Sequence, residues 1–191
     1  MDIHVFVCCL FPQQVLAKQP RILPTVLPRL ACPPMTPFKA RALASLAEVV
    51  TTALVPHLDV LLPALFPAIA ADAPDEHDAA VEAAAAVSGA VDEAGVHLLL
   101  GELHRGCLAD EPEVRKGAAE LVGIFCKSND RVDMEERVPT LLGQLLPLFA
   151  DTDEAVVKTA WTATGLVTSQ IPKVCMYTPT RLLRKASALL G

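Results

Sequence analysis

Aromatic residues are scarce in this chain, at 4% of 191 residues, although apolar residues make up 52% of it. The apolar content is therefore mainly alanine, leucine and valine, which favours closely packed helices over a sandwich of β-sheets. Long unbroken helices are also excluded, because sixteen prolines are too many for them. Prolines in this number are typical of short helices that begin or bend at proline. The composition thus predicts an all-α protein.

The chain has no excess of positive charge, since its formal net charge is −6. It therefore lacks the broad electrostatic attraction that nucleic acid or an anionic membrane needs. No stretch reaches the roughly 20 uninterrupted apolar residues of a membrane span. The opening MDIHVFVCCL contains Asp2 and no basic residue, so it does not predict a secretory signal. We expect no membrane contact and no direct sequence-specific binding of nucleic acid.

Disulfide frameworks, metal sites and catalytic motifs are absent as well. The six cysteines include no C-x-x-C pair and lie mostly in apolar runs, which indicates buried, reduced thiols and a cytoplasmic location. His104 and Cys107 are three residues apart, but two ligands are too few for a zinc site. There is no P-loop, no G-x-G-x-x-G and no G-x-S-x-G. The sequence therefore predicts no metal, no cofactor and no enzymatic activity.

What the chain does contain is a repeat of about forty residues. Three segments each have the end of an apolar helix, then an acidic turn, then an alanine-rich amphipathic helix. The turn aspartates are separated by 38 and 41 residues and are Asp72, Asp110 and Asp151. A fainter copy begins at Pro28. Acidic residues at these places suit helix N-termini, where unpaired amides and the helix dipole favour negative charge.

The spacing of apolar residues predicts helices at roughly 21–31, 37–54, 57–71, 75–91, 94–108, 112–127, 135–150, 153–169 and 179–190. Helices that are apolar on nearly every side must be covered from several directions, and stacking of neighbouring pairs covers them. We therefore predict an α-solenoid of antiparallel helix pairs with about four repeats in residues 21–174. Residues 1–20 are interpreted as a separate apolar segment, and 175–191 as a basic amphipathic helix of an incomplete repeat.

The turn that starts at Leu145 reads L-L-P-L-F-x-D-x-D-x-x-V-x-K-x-A and resembles the HEAT repeat. In HEAT repeats, the aspartate and the basic residue typically form a ladder of ion pairs between adjacent turns. The resemblance implies a pair between Asp110 and Lys158, or one between Asp151 and Lys116. The first of the three units keeps its aspartate but has no lysine or arginine at the basic position, so the ladder is expected to be interrupted there.

A more specific resemblance lies in the order of four phrases: RILPTVLPRLACPP, ALASLAEVVTTALVPHLDVLLPAL, DEAGVHLLLGELHRG and LPLFADTDEAVVKTAWTAT. This succession, over about residues 21–174, resembles the C-terminal part of the large general-control translational activator family. That family forms a very long HEAT solenoid on ribosomes and helps uncharged transfer RNA stimulate the kinase that phosphorylates initiation factor two. The resemblance implies a fragment or short isoform whose partners are the ribosome and a kinase with an RWD-type domain. It assigns no contact residue to this chain.

Alternative functions remain open from the sequence. An importin-type nuclear transport receptor is also an acidic HEAT array, although its inner helices carry acidic rows while those here are rich in leucine and proline. A small enzyme hidden among the helices is a second alternative, which a metal analysis and a hydrolase screen would expose. The stretch TRLLRKASALL places Arg181, Arg184 and Lys185 on one side of a predicted helix. These are candidate partner-binding residues, and the second helix of an incomplete repeat is the favoured interpretation of the stretch.

Overall fold

The computed structural model describes residues 23–129 and 134–170, and within them the chain is helical without strands. The α-helices are α1 (Leu23–Leu30), α2 (Pro37–Val50), α3 (Leu58–Ile69), α4 (Pro74–Ala90), α5 (Glu93–Cys107), α6 (Pro112–Ser128), α7 (Val138–Leu145) and α8 (Glu154–Ser169). A 3₁₀ segment precedes α3 at Thr51–His57, and another follows α7 at Leu146–Ala150. The all-α fold class is confirmed.

Local sequence explains where the helices begin. The hydroxyl of Thr36 accepts a hydrogen bond from the amide of Lys39 at 3.3 Å, and proline opens α2. The carboxylate of Asp92 accepts from the amide of Gly95 at 2.8 Å and caps α5. At the start of α8, Asp153 accepts from the backbone amides of the next turn. Each cap pairs amides that a helix start leaves unbonded, and each is worth about 1 kcal/mol.

The helices form two layers. We call α2, α4, α6 and α8 the A layer, and α3, α5 and α7 the B layer; neighbouring helices within each layer are in contact. Short turns at 70–73, 108–111 and 151–153 join each B helix to the next A helix, so the two run antiparallel. Together with the hairpin of α1 and α2, the described residues contain four stacked hairpins. This arrangement confirms the HEAT-type solenoid of about four repeats.

The two layers pack with side chains of different size. The A helices approach one another through buried alanines, which are Ala40, Ala44, Ala47, Ala79, Ala80, Ala83, Ala84, Ala118, Ala119, Ala160 and Ala163. The B helices fill the interior with buried leucines, among them Leu58, Leu61, Leu62, Leu65, Leu99, Leu103, Leu141 and Leu145. Small side chains bring helix axes close together, and the leucines supply most of the apolar area removed from water.

The tightest crossing in the described stack joins α3, α5 and α6 around the buried ring of Phe66. A Cβ added to Gly117 of α6 would lie 2.6 Å from the carbonyl carbon of Phe66 and closer still to its oxygen. A Cβ on Gly106 of α5 would lie 2.7 Å from the ring of Phe66. Glycine at both positions therefore lets three helices from two repeats meet at this ring.

The helical run Pro37–Ile69 is long and apolar enough to cross a membrane by length and composition alone, with a mean hydropathy of 1.7 over its most apolar stretch. It consists of α2, a 3₁₀ segment and α3. Its leucines at 43, 46, 54, 58, 61, 62 and 65 are buried in the described structure. Packing of these leucines within the stack accounts for part of the hydropathy of this run, and 39% of its most apolar stretch is buried.

Two predicted helices end earlier than the sequence pattern indicates. The helix predicted at 37–54 stops at Val50, and the one predicted at 135–150 has its α-helical part at Val138–Leu145. Both continue as 3₁₀ segments that contain a proline, Pro56 in the first and Pro147 in the second. At the end of α2 the backbone of Thr51 has a positive φ of 47°, outside the α-helical region, so the α-helix stops before Pro56 is reached. After Leu145, Pro147 lacks the amide hydrogen of the α-helical ladder and clashes with the preceding turn, so the backbone tightens instead.

Candidate protein-interaction surface

Arg115, near the start of α6, links two consecutive turns. Its Nε donates to Oδ2 of Asp151 at 2.6 Å, and Nη2 donates to Oδ1 at 2.9 Å. Its Nη1 also donates to the carbonyl oxygens of Ala109 and Asp110, at 2.9 and 2.6 Å. The guanidinium beside Asp151 holds the pKa of that carboxyl below its usual range. A two-pronged contact of this kind fixes geometry as well as charge, so it sets the spacing of the second and third turns.

The adjacent Lys116 points to the other side. Its ammonium donates to the carbonyl oxygen of Ala70 at 2.9 Å and lies 3.8 Å from the carboxylate of Asp72. Successive residues of a helix are rotated by about 100°, so Arg115 and Lys116 reach opposite neighbouring turns. The observed pairs therefore differ from both predicted ones, because Asp151 pairs with Arg115 and not with Lys116.

The rest of the predicted ladder also needs correction. The interruption expected at Asp72 does not occur, because the lysine comes from the following repeat. The main-chain carbonyl oxygen of Asp110 accepts a hydrogen bond from Arg115. The side-chain carboxylate of Asp110 forms no salt bridge with Lys158 within residues 23–129 and 134–170. Lys158 instead lines a groove on the A layer. The repeat pattern identified the turns correctly and assigned their basic partners wrongly.

That groove runs along α6, between α4 and α8, and encloses about 560 Å³. We call it the lysine groove and define it by its lining: His77, Val81, Lys116, Glu120, Gly123, Ile124, Lys127, Ala155, Lys158, Thr159, Thr162, Ala163 and Leu166. Three lysines and one carboxylate give it a formal charge of +2 with the histidine neutral. A positive groove on a chain of net charge −6 is a candidate site for an anionic partner.

The carboxylate in the lysine groove, Glu120, is half-buried against α4. Its Oε1 lies 3.5 Å from Nε2 of His77, whose Nδ1 bonds to the carbonyl oxygen of Ile69 at 2.7 Å. Because that bond requires hydrogen on Nδ1, Nε2 of the neutral ring is an acceptor. Burial raises the pKa of Glu120, and the nearby His77 when it is protonated, together with Lys116 and Lys127, offsets part of that rise.

Replacing Glu120 with glutamine should stabilise the protein at neutral pH. When the pKa of a carboxyl group is higher in the folded state, the protein becomes less stable as the pH rises from the ordinary carboxyl pKa through the higher one. Glutamine avoids this loss and can donate to Nε2 of His77. We expect Glu120→Gln to raise Tm by about 1–3 °C at pH 7, in line with a gain below about 1 kcal/mol. The gain should vanish below about pH 4, where the wild-type carboxyl is also protonated; thermal melts at both pH values would check this.

A second groove, of about 610 Å³, lies between α5 and α7 of the B layer. Its lining includes His97, His104, Arg137 and Gln144, with glycines on both helices. The side chain of Gln144 donates to the carbonyl oxygen of Leu100 at 3.0 Å. His104 is exposed here, whereas its predicted neighbour Cys107 is buried in the core. The two side chains therefore lie in different surroundings, one in solvent and the other in the core.

The buried thiols should be unreactive in the folded protein. Burial raises the pKa of Cys107 to about 12 and that of Cys126 to about 11, so both stay protonated at neutral pH. Cys32 is exposed. We expect brief treatment with iodoacetamide to label Cys32 and to spare the two buried thiols until denaturant is added. Peptide mapping by mass spectrometry would show this, and early labelling of Cys107 would contradict the described core.

Arg181, Arg184 and Lys185, the candidate partner-binding residues, lie outside the described residues and stay a prediction. Among the described residues, the largest exposed apolar side chain at the C-terminal end is Trp161 of α8. Its ring meets that of Phe149 edge to face, with centroids 4.8 Å apart. Despite this contact, the tryptophan lies largely in solvent.

The stacked hairpins, the buried alanine and leucine layers and the charged turns define a HEAT-repeat solenoid, a class of protein that offers extended surfaces to partners. Comparison with known families agrees with this class. The model described as "Stalled ribosome sensor GCN1-like, HEAT repeats" matches residues 22–188. The chain therefore belongs to the GCN1-like HEAT-repeat family.

Individual relatives support the same assignment. The chain is 32% identical over 174 residues to "Protein ILITYHIA" of Arabidopsis thaliana, which covers 91% of the chain and 6% of the relative. It is 30% identical over 162 residues to "Stalled ribosome sensor GCN1" of Homo sapiens, an alignment that covers 83% of the chain and 6% of the relative. With "eIF-2-alpha kinase activator GCN1" of Dictyostelium discoideum it shares 32% over 166 residues, covering 84% and 6%. The chain thus spans about 6% of the length of these relatives, and none of the three is named as a nuclear transport receptor.

Proposed function

We propose that this chain is an interaction segment of a cytoplasmic, ribosome-associated translational activator that promotes phosphorylation of initiation factor two by its kinase. The observation that carries the proposal is the alignment over 83% of the chain with a relative named a stalled ribosome sensor. A second relative is named as an activator of the eIF-2-alpha kinase. The segment would contribute binding surface and no bond chemistry, since a solenoid raises the local concentration of partners and orients them.

The described structure supports a binding role on both of its layers. The lysine groove opens on the A layer, and the second groove opens between α5 and α7 on the B layer. Solenoids bind partners along such open surfaces, while their cores hold the repeats at fixed spacing. Two grooves on different layers give one segment room for two partners, such as the ribosome and an RWD-type domain of the kinase.

The proposal is tested with the tagged 191-residue chain in cytosol depleted of the endogenous activator. We expect the chain to recover ribosomes, the eIF-2-alpha kinase, or both, with immunoblots for a ribosomal protein and for the kinase as the readout. An excess of the purified RWD-type domain should remove the kinase and leave the ribosomes. Recovery of a Ran-type GTPase and basic cargo, with neither ribosomes nor kinase, would overturn the proposal and favour the importin-type alternative.

A further inference from the structure

Two of the three lysines that line the lysine groove form no salt bridge within the described part of the chain. Lys116 is bound to the preceding turn through the carbonyl oxygen of Ala70. Lys127 and Lys158 are exposed, and neither forms a salt bridge with an acid in the described part of the chain. The remaining charged groups of the lining, Glu120 and His77, face each other. Lys127 also attracts the Glu120 carboxylate over a longer distance, which offsets part of its charge. Two exposed lysine side chains, one on α6 and one on α8, are therefore available to a ligand.

The floor between these cations is apolar. Ile124 of α6 and Ala163 and Leu166 of α8 line the groove; Ile124 and Ala163 are largely buried, and Leu166 is part-exposed. Leu166 lies against Gly123, where an added Cβ would come within 2.9 Å of its methyl carbon. Burial of apolar surface on this floor would favour a ligand that has an apolar group between its charges. Inorganic phosphate or a bare polyanion has no such group.

The dimensions of the groove suit a short peptide. Lys127 lies eleven residues after Lys116 on α6, which corresponds to about 16 Å along the helix axis. An extended chain covers about 3.3 Å per residue, so roughly five residues span the groove. Lys158 stands on the opposite wall, on α8. Ile124 lies one turn before Lys127 on α6, and Leu166 lies about two turns after Lys158 on α8, so a segment with acidic residues near both ends and a leucine-like residue closer to the Lys127 end would match this arrangement.

We infer that the lysine groove binds a short acidic segment of a partner protein, with an apolar side chain on Ile124 and Leu166 and carboxylates beside Lys127 and Lys158. This inference deepens the proposed function, since it names the chemistry of one partner of the scaffold. An RNA strand is disfavoured, because it has no aliphatic side chain to place against Ile124 and Leu166 of the lining.

The test measures binding of a fluorescein-labelled peptide, EDLLEDE, to the full 191-residue chain by anisotropy. We expect saturable binding that weakens with added salt, as charge-assisted binding does. Lys158→Glu and Lys127→Glu should each weaken it by about fivefold or more, since each change removes one cation and adds a repelling charge. The charge-matched control is Arg29→Glu, at an exposed position of α1 far along the chain, which should leave the affinity within about twofold. Far-UV circular dichroism would verify that each variant is folded.

Three outcomes would overturn the inference. The first is no binding of the acidic peptide, and the second is equal weakening by Arg29→Glu, which would indicate a general charge effect. The third is tighter binding of a labelled oligouridine, or of the charge-reversed peptide KRLLKRK, than of the acidic one. The proposed function is judged separately by recovery of ribosomes or kinase with the wild-type chain, so failure of the groove and failure of the scaffold give different results.

Discussion

Gly117→Ala should destabilise this protein more than a change to alanine at any other described glycine. The new Cβ would collide with the main-chain carbonyl of Phe66, which cannot rotate away as a side chain can. Helices α3 and α6 must then separate, and the leucine and alanine contacts around them loosen. Overpacking costs about 1–3 kcal/mol when side chains can adjust. Because the clash here is with main-chain atoms, we expect the free energy of unfolding to fall by about 3 kcal/mol or more. Urea unfolding followed by circular dichroism would measure this loss.

The matched control is Gly101→Ala, in the middle of α5. A Cβ there meets nothing within 4 Å. Alanine is a better helix former than glycine, so this change should be neutral or stabilise by about 0.5–1 kcal/mol. Opposite signs for the same chemical change would show that the close crossing at Phe66 is responsible. A Gly117→Ala protein as stable as wild type would mean that α3 and α6 do not approach this closely.

Asp151→Asn should weaken the link between the second and third turns by about 1–3 kcal/mol, the usual cost of losing hydrogen bonds to a charged group. The side chains of Arg115 and Asp151 are only 16% and 7% exposed, so the arginine would keep its charge and lose its hydrogen-bonded counter-ion, with only the longer-range attraction of Asp153 and Asp110 remaining. The turn nevertheless lies at the surface, and solvent screening keeps the loss below that of a deeply buried pair. Urea unfolding at pH 7 would measure it.

The comparison variant for this ion pair is Asp75→Asn, which removes the partner of Arg41. These two side chains are 53% and 71% exposed, so the change should cost less than about 0.5 kcal/mol.

The pH dependence of stability provides a further check on the pair of Arg115 and Asp151. The pKa of Asp151 is lowered by Arg115, so its stabilisation is present above the ordinary carboxyl pKa and is lost as pH falls through the lowered one. The deficit of Asp151→Asn should therefore shrink below about pH 4; an unchanged deficit would contradict the described pair.

Sequence periodicity predicted the helices well because each repeat carries its own apolar stripe and its own acidic start. The bounds predicted for α6, 112–127, differ by a single residue from the observed Pro112–Ser128. Where the prediction missed, the positive φ of Thr51 ended α2 and Pro147 shortened α7, and each helix is followed by a 3₁₀ segment. The 3.6-residue spacing of apolar residues changes little over one such turn, so the pattern does not show where the α-helix stops.

The contacts between repeats were harder to predict than the repeats themselves. Arg115 and Lys116 are neighbours in sequence, and only the rotation of α6 within the stack decides which of them faces Asp151. The lysine groove was likewise hidden, since it combines residues from three helices up to 89 positions apart. Gly117 carried a usable signal, because a glycine within an otherwise alanine-rich helix often marks a close approach.

The position of Trp161 has an optical consequence. It is the only tryptophan of the chain, it is 65% exposed, and its contact with Phe149 lies within the α8 hairpin. Its emission therefore reports on the last described hairpin, whereas circular dichroism averages over every helix. In an array stabilised mainly by neighbouring repeats, the ends can melt before the middle. A fluorescence transition at lower denaturant than the dichroism transition would then be the fraying of this hairpin and not the unfolding of the molecule.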